Sequence, residues 1–199
     1  MAHAVFEMNR EDEGNRRFIM VQLPEPTDRE DFSSIAEIGK ERIRRVITDL
    51  QMADEGKLPL SYDEDFGFKV FKLAPSNMRL WTGVKDIDPA EYVKQMDLFT
   101  DPLVEGWEVE NVIYEVALRE GFGLNCTIEE VDLEMDNSIY RVADPDKEQF
   151  FHICLDNRVS PDPTYKLGLQ KIDLFICRDV ALDDTTAANI ALNCRLKTI

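Results

Sequence analysis

A polar side chain that closes an apolar run is the first candidate for chemistry in this chain. Residues 18–21 read Phe-Ile-Met-Val, and Gln22 follows them directly. A continuous apolar run of this kind is typical of a strand that is buried on both faces of a parallel sheet. In open α/β sheets ligands bind where strands end, so Gln22 could hydrogen-bond to a ribose. A strand-end glutamine in solvent is the simpler interpretation, and the residues alone favour it.

The histidines and cysteines offer little metal or redox chemistry. The only histidines are His3 and His152. A single histidine within an apolar run such as FFHICL is more often a hydrogen-bonded core residue than a ligand. The cysteines lie far apart and form no CxxC pair, so the sequence carries no zinc or redox signature. We expect no metal site, and reduced, mostly buried thiols in a cytoplasmic protein. The cysteines are Cys126, Cys154, Cys177 and Cys194.

The composition indicates a soluble globular chain with an acidic surface. Its 199 residues are enough for one good-sized core or two small ones. Hydrophobic residues make up 44% and charged residues 32%, and no apolar run is long enough to span a membrane. The net charge of -17 repels a phosphate backbone, so we expect poor DNA binding by this chain alone. The acidic surface could instead mimic DNA, although acidity that only confers solubility is the simpler explanation.

The N-terminal part of the chain must supply the elements around Gln22. Apolar residues at helical spacing predict a helix over residues 2–9. Residues 18–21 then form the buried strand, and residues 66–73 read as a further strand that is interrupted by lysines. A helix followed by a strand is half of a βαβ unit.

The second predicted helix begins at a capping box and carries the only basic cluster of the chain. Ser34 and Glu37 have the capping-box spacing, and the helix ends near Gln51. Gly39 inside it costs about 1 kcal/mol relative to alanine, which indicates close packing against a neighbour. The basic cluster could contact a phosphate or an acidic partner, but a solvated face paired with glutamates is the simpler interpretation. Its members are Lys40, Arg42, Arg44 and Arg45, with Glu37 and Glu41 as partners.

The C-terminal part predicts a helix, an antiparallel meander and a closing helix. An apolar stripe at helical spacing runs from Val109 to Ala117, and Gly121 is the expected C-cap. Three strand-like runs separated by turn signals follow, which predicts the meander. Another strand covers residues 171–177, and a helix of small residues follows, capped by Asp184 or Thr185. The three runs are residues 127–135, 139–143 and 149–155, and the closing helix is 184–196.

Several segments, in order along nearly the whole chain, resemble a known family. They are AHAVFEMN at 2–9, GNRRFIMVQLPEP at 14–26, IAEIGKERIRRV at 35–46, FGFKVFKL at 66–73, FFHICLDN at 150–157 and LFICRDVALDDTTAANIALN at 174–193. The first four resemble the C-terminal half of the modification subunit of type III restriction systems. The last two resemble its C-terminal region more loosely. That family consists of S-adenosylmethionine-dependent, adenine-specific DNA methyltransferases of the β class.

The resemblance implies that this chain is a fragment without the catalytic parts. In the family, the AHAV helix follows a glycine-rich FxGSGT cofactor loop, and the catalytic Asp-Pro-Pro-Tyr motif lies upstream of that loop. We expect both to be missing, so that the chain alone binds no cofactor and no residue has a catalytic role. Gln22 stands where many members carry an acidic residue for the ribose of S-adenosylmethionine, and Glu25 lies three residues on. Both are candidate cofactor-binding residues in the complete enzyme.

A near-match to the catalytic motif occurs further along the chain. Asp162-Pro163-Thr164-Tyr165 differs by one residue from Asp-Pro-Pro-Tyr. In that signature the acid and a carbonyl hold the target amino group while the aromatic ring stacks on the flipped base. Here the motif lies downstream of the cofactor strand, which is the wrong order for this class. We therefore interpret it as a proline-rich loop.

The predicted fold is α/β, with a partial S-adenosylmethionine-dependent methyltransferase (Rossmann-like) sheet followed by an α+β C-terminal domain that contains the antiparallel meander. The second half of the cofactor sheet occupies residues 1–77, a connecting region 78–108, and an assembly domain 109–199. By resemblance, the expected partners are the missing N-terminal half of the methyltransferase, the restriction subunit and a second copy of the chain. DNA is reached only through the parent enzyme, and no membrane contact is expected.

The alternative function is a free-standing acidic interaction module or DNA mimic that binds a restriction complex. The two hypotheses differ in the surface that they require. A mimic should space carboxylates along one elongated face, whereas a fragment should expose an apolar edge where the missing strands belong.

Overall fold

A computed structural model describes the protein over residues 1–54, 65–80, 89–132, 136–159 and 163–199. The chain divides into two compact units, Met1–Val70 and Phe71–Ile199. Over the described residues the architecture is mixed α/β, with six α-helices and one open sheet of five strands. This confirms the α/β class. None of the described helices combines the length and apolarity that a membrane crossing requires.

The N-terminal unit is built on two helices, α1 (Ala2–Asp12) and α2 (Ile35–Asp54). Both lie where the apolar periodicity predicts a helix. Phe6 of α1 and Ile43 of α2 are 6% and 7% exposed and form part of a small core. The ring of Phe18 meets Phe6 edge to face, with 5.6 Å between the centroids, a geometry that adds to the stabilisation from burial.

The start of α2 bears out one half of the capping box. The backbone N–H of Glu37 donates to the hydroxyl of Ser34 at 3.3 Å, which satisfies one of the free N–H groups of the first turn. Within the described residues, Gly39 does not have the close neighbour that we expected, because a Cβ at this position would meet nothing within 4 Å. The glycine therefore lowers the stability of the helix without allowing a packing contact.

Neither strand predicted in the N-terminal part forms. Residues 14–25 and 65–74 have no regular secondary structure. A strand is stable only when a neighbour takes up its backbone N–H and C=O groups, and the described residues supply none beside these stretches. Within the apolar run, Phe18 packs against the small core, while Ile19 and Val21 are 86% and 91% exposed. The described residues of the N-terminal unit therefore contain no sheet.

The C-terminal unit centres on the five-stranded sheet. Its strands are β1 (Thr127–Val131), β2 (Ile139–Asp144), β3 (Gln149–Cys154), β4 (Leu174–Cys177) and β5 (Arg195–Thr198). Its helices are α3 (Pro89–Leu98), α4 (Val109–Arg119), α5 (Pro163–Leu167) and α6 (Asp184–Asn193). The strands follow one another in chain order across the sheet. The first three form the predicted antiparallel meander, and β4 and β5 then continue it in parallel with β3.

Two cores cover opposite faces of this sheet, because successive side chains of a strand alternate between faces. On one face, Phe151 and Ile153 of β3 pack with the apolar stripe of α4, whose Val112 and Val116 are fully or almost fully buried. On the other face, alternate residues of β3 and β4 pack with α6, including Ile190. The predicted stripe of α4 is therefore confirmed as a core-facing surface.

The ends of the helices in this unit are defined by local hydrogen bonds. Gly121 follows α4 with φ +83°, and its N–H donates to Leu118, which confirms the glycine stop. Helix α6 ends at Asn193 instead of continuing to residue 196, because the chain leaves the helix and pairs with β4 as the edge strand β5. Its N-cap is Asp183, which accepts from the N–H of Thr186 at 2.8 Å, and the expected cap at residue 184 or 185 is wrong.

Candidate functional site

The candidate cofactor residues Gln22 and Glu25 lie on an exposed stretch without regular secondary structure. The side-chain amide of Gln22 donates to the neighbouring carbonyl of Leu23 at 3.1 Å. The carbonyl of Glu25 accepts from the N–H of Ile35 at 2.9 Å, which fixes the backbone while the side chain stays at the surface. The C-terminal unit contains a cavity whose lining residues all belong to that unit.

That cavity has a volume of about 370 Å³ and lies on the α6 face of the sheet. Strands β2 and β3 form its floor, where Arg141 stands opposite His152 in the antiparallel register. Phe150 and His152 share this face because they are two residues apart on one strand. Helix α5 and the loop after it contribute Leu167 and Leu169 to the walls. The volume is at the lower end of the range for small-molecule pockets, about 300–1,000 Å³.

Arg141 is the most clearly placed cation of this cavity. Its guanidinium lies over the Phe150 ring, 4.6 Å from the centroid, a separation at which the ring quadrupole attracts the charge. Among the described residues, no carboxylate forms an ion pair with it. Lys166 and Asp173 also line the cavity. The residues that line the cavity therefore include two cations and one carboxylate, and Glu129 of β1 stands opposite Arg141 in the register without lining the cavity.

His152 is the buried polar side chain of the cavity. It is 6% exposed, and its Nδ1 atom has no hydrogen-bond partner among the described residues. Burial lowers the pKa of His152 and the charge of Arg141 lowers it further, while Asp173 acts in the opposite direction. The imidazole is therefore neutral at neutral pH, and Nδ1 can donate or accept depending on the tautomer. Such an unsatisfied buried atom costs about 1–3 kcal/mol, which makes it uncommon.

Sequence reasoning found the burial of His152 but not the cavity. The apolar run predicts a hydrogen-bonded core histidine, and the structure confirms the burial while Nδ1 remains unbonded. The signal that could have revealed the cavity is register. The turn between β2 and β3 pairs Asp144 with Gln149, and counting back from that pair places Arg141 opposite His152 on one face.

A second polar cluster lies where β3 and β4 end. Arg178 is 5% exposed, and its guanidinium pairs with Asp101 at 2.6 Å and donates to the side-chain carbonyl of Asn157. It also lies over the ring of Trp107, 5.8 Å from the centroid. The carboxyl ends of parallel strands are common ligand sites, but here both terminal guanidinium nitrogens already bond to the protein. We interpret the cluster as an attachment of residues 101–107 to the sheet.

The four cysteines are free and buried, as the sequence predicts. Burial raises the pKa of Cys154 to about 11 and that of Cys177 to about 12. Both therefore stay protonated at neutral pH and are poor nucleophiles. Within the part of the chain that the structure describes, no group of three or more histidine, cysteine or carboxylate side chains is arranged to hold a metal ion. The buried thiols contribute apolar packing.

Two members of the basic cluster of α2, Lys40 and Arg45, form the ion pairs with glutamates that we expected. Lys40 pairs with Glu37, three residues before it, and Arg45 pairs with Glu41 at 2.8 Å, four residues before it. Pairs at these spacings share one side of a helix and add a few tenths of a kcal/mol each, about 0.2–0.5. These two cations are therefore engaged by carboxylates of their own helix.

The near-match to the catalytic motif divides between described and undescribed residues. Asp162 lies outside the described residues. Pro163 begins helix α5, so the loop expected here is a short helix from residue 163 onward, which is consistent with the preference of proline for the first helical position. The ring of Tyr165 is 82% exposed.

Comparison with known proteins adds no family or neighbour. No family model, curated protein or solved structure matches this chain. The functional proposals below are therefore supported by the residues, by the geometry of the described parts and by the resemblance of the sequence segments.

Proposed function

We propose that this chain is the C-terminal part of the modification subunit of a type III restriction system, and that it acts as scaffold without methylating alone. The segments that resemble the family, which occur in order along nearly the whole chain, support this proposal. An apolar stretch that the chain leaves uncovered supports it independently. In the complete adenine-specific DNA methyltransferase, the glycine-rich loop and the Asp-Pro-Pro-Tyr motif belong to the part that precedes these segments. No residue of this chain takes a catalytic role in the proposal.

The observation that carries the proposal is the exposure of residues 19–23. Ile19, Val21 and Leu23 are 86%, 91% and 67% exposed, on a backbone without regular structure. Full burial of a side chain of this kind contributes about 1.5–3 kcal/mol, so leaving three neighbours in water forgoes a large stabilisation. Contiguous exposed apolar groups are typical of a surface that another component covers. Backbone that has no ladder partner is also able to pair with a strand of another chain.

In the proposed arrangement, this stretch becomes a strand of a Rossmann-like cofactor sheet that the N-terminal half completes. Gln22 and Glu25 then lie at the carboxyl end of the strand, where nucleotide sheets bind ribose hydroxyls. Gln22 offers one amide oxygen as acceptor, and Glu25 offers two carboxylate oxygens. S-adenosylmethionine therefore binds only to the assembled enzyme. DNA also reaches this chain only through the enzyme, because a net charge of -17 repels phosphates.

The C-terminal unit is the proposed assembly domain, with a second copy of the chain and the restriction subunit as partners. Its sheet is open, and β1 and β5 are its two edges. An edge strand presents unpaired backbone groups that another chain can use. A cytoplasmic site of action accords with four free thiols and no disulfide among the described residues.

Co-purification with the N-terminal half of a type III modification subunit tests the proposal. We expect the two halves to associate and the complex to bind S-adenosylmethionine in isothermal titration calorimetry. Val21→Asp places a charge in the proposed interface and should abolish association. Ile172→Asp is the matched control, since Ile172 is 79% exposed and belongs to the C-terminal unit. Both positions are exposed, so neither substitution should lower the melting temperature of the isolated chain.

Three results would contradict the proposal. The first is a failure of the two halves to associate, and the second is binding of S-adenosylmethionine to the isolated chain as tightly as to the complex. The third is an equal loss of association in both variants, because residues 19–23 would then have no special role. Competition between the isolated chain and DNA for a restriction complex would favour the acidic module instead.

A further inference from the structure

The cavity between β2, β3 and α5 is lined by two residues with polar groups that the described residues leave without a hydrogen bond or an ion pair and that the proposed function does not use. The first is Nδ1 of His152, which is buried without a hydrogen-bond partner. The second is the guanidinium of Arg141, which forms no ion pair within the described residues. We propose that the cavity binds a small organic anion. Its carboxylate or phosphate meets Arg141, its body lies against Leu167 and Leu169, and a polar group of the ligand bonds to His152 Nδ1.

The environment of His152 argues for a bound partner. A position that served only packing would be filled better by an apolar side chain, which leaves no nitrogen unsatisfied. His152 is one of the residues that line the cavity, so we infer that a ligand group bound there can reach Nδ1. Small-molecule sites commonly combine apolar walls with a few such placed polar atoms.

Arg141 is the group of the cavity that favours an anionic ligand, because it forms no ion pair within the described residues. Arg141 and Lys166 are the cations of the lining, and Asp173 is its only carboxylate among the described residues. The guanidinium is held over the Phe150 ring, which restricts its orientation. A guanidinium fixed in this way offers parallel N–H groups that match the two oxygens of a carboxylate or phosphate.

The size and lining of the cavity limit the ligand further. A volume of about 370 Å³ fits a compact molecule. Val131, Leu167 and Leu169 make part of the wall apolar, so the body of the ligand is apolar or planar. An aromatic carboxylate and a nucleoside monophosphate both have this chemistry, and the experiment distinguishes them.

Nuclear magnetic resonance of the imidazole nitrogens tests the proposal directly, because the chain has only two histidines. In a His3→Gln background, His152 is the single source of imidazole signals. The untagged, ¹⁵N-labelled full chain is titrated with adenosine 5′-monophosphate and, separately, with indole-3-acetate. Adenosine and indole are the uncharged counterparts. We expect at least one anion to shift the Nδ1 resonance of His152 while its uncharged counterpart leaves the resonance in place.

Two arginine variants test the role of the charge. Arg141→Met keeps an unbranched stem over Phe150 and removes the guanidinium, so the affinity for the active anion should fall at least about tenfold. Arg141→Lys keeps the charge but lacks the parallel N–H groups of the guanidinium, so it should recover part of the lost affinity. Arg195→Met is the matched control, because Arg195 is an exposed residue of the same sheet outside the cavity. Circular dichroism establishes that each variant is folded.

A shift with only one of the two anions identifies whether the cavity accepts the nucleoside monophosphate or the aromatic carboxylate. The proposal is overturned if neither anion shifts the His152 signal, if the uncharged counterparts shift it equally, or if Arg195→Met weakens binding as much as Arg141→Met. The assembly experiment concerns residues 19–23 of the N-terminal unit, so either proposal can fail without the other.

Discussion

Replacing Glu115 by glutamine should destabilise the C-terminal unit and remove part of its sensitivity to acid. The carboxylate of Glu115, on α4, accepts hydrogen bonds from the hydroxyl of Ser76 at 2.5 Å and from the backbone and side-chain N–H groups of Asn77 at 2.7 and 3.1 Å. Arg119 adds an ion pair at 2.8 Å. One side chain therefore attaches residues 76–77 to a core helix.

The magnitude follows from what glutamine can replace. Burial alone would raise the pKa of Glu115, but the hydrogen bonds from Ser76 and Asn77 and the charge of Arg119 outweigh it and lower the pKa below its ordinary value. A hydrogen bond to a charged group contributes about 1.5–3 kcal/mol. Glutamine keeps one acceptor oxygen and turns an N–H group toward the other donors. We expect the substitution to cost about 2–3 kcal/mol.

The pH dependence has a definite sign. The pKa of Glu115 is lower in the folded than in the unfolded state, so its contribution is complete above the unfolded value of about 4.3. It is lost as the pH falls through the folded pKa, because protonation then becomes equal in both states. Glutamine does not titrate. The stability difference between the parent and Glu115→Gln should therefore be largest at neutral pH and shrink in acid.

Urea unfolding followed by tryptophan fluorescence measures this difference. The chain has two tryptophans, and a Trp81→Phe background leaves Trp107, which packs against the core that contains α4. Glu110→Gln, at an exposed position of the same helix, is the control and should change stability by less than about 0.5 kcal/mol. An effect of Glu115→Gln no larger than this control, or one that persists undiminished in acid, would refute the reasoning.

Three further predictions concern glycines, thiols and the buried histidine. Gly39→Ala should raise the stability of the N-terminal unit by about 0.5–1 kcal/mol in thermal unfolding, because the site is open, whereas Gly121→Ala, at φ +83°, should lower that of the C-terminal unit by about 1 kcal/mol. The thiols of Cys154 and Cys177 should react with a thiol reagent only as fast as the protein opens, since both are buried and protonated. Burial holds the folded-state pKa of His152 below its unfolded value, so stability should be complete above about pH 6.5 and fall below it. In His152→Gln, the free energy of unfolding should lose the part of its pH dependence that His152 causes. A pH dependence equal to that of the parent would contradict the lowered pKa of His152.

The helices could be predicted because their signals are local. The stripe of α4 places Val112 and Val116 on one face at helical spacing, and Gly121 stops the helix with its own backbone conformation. The meander could be predicted for a similar reason, since short turns bring consecutive strands together. In each case the residues that decide the structure lie within a few positions of one another.

The failures concern pairing between distant residues. The run from Phe18 to Val21 has the composition of a buried strand, but composition does not supply a neighbouring strand, and the described residues place none beside it. The sequence does not predict strand β5, because Arg195 and Lys197 are polar, as an exposed edge allows, and because the pattern of the preceding helix continues through residue 196. The cavity at His152 was missed because it depends on register across a hairpin and on a helix that follows later in the chain.

The exposed apolar residues 19–23 and the ion pairs near them argue against DNA mimicry by the N-terminal unit. A DNA mimic needs carboxylates that are free to imitate phosphates, yet Asp12 is paired with Arg16 at 2.6 Å and Asp31 with Arg29 at 2.7 Å. Residues 19–23 include exposed apolar side chains and no charged group, which is the opposite of what a phosphate-like face requires. Asp12 and Asp31 are therefore engaged by arginines of their own unit, and residues 19–23 are the apolar surface that the proposed association with the N-terminal half would cover.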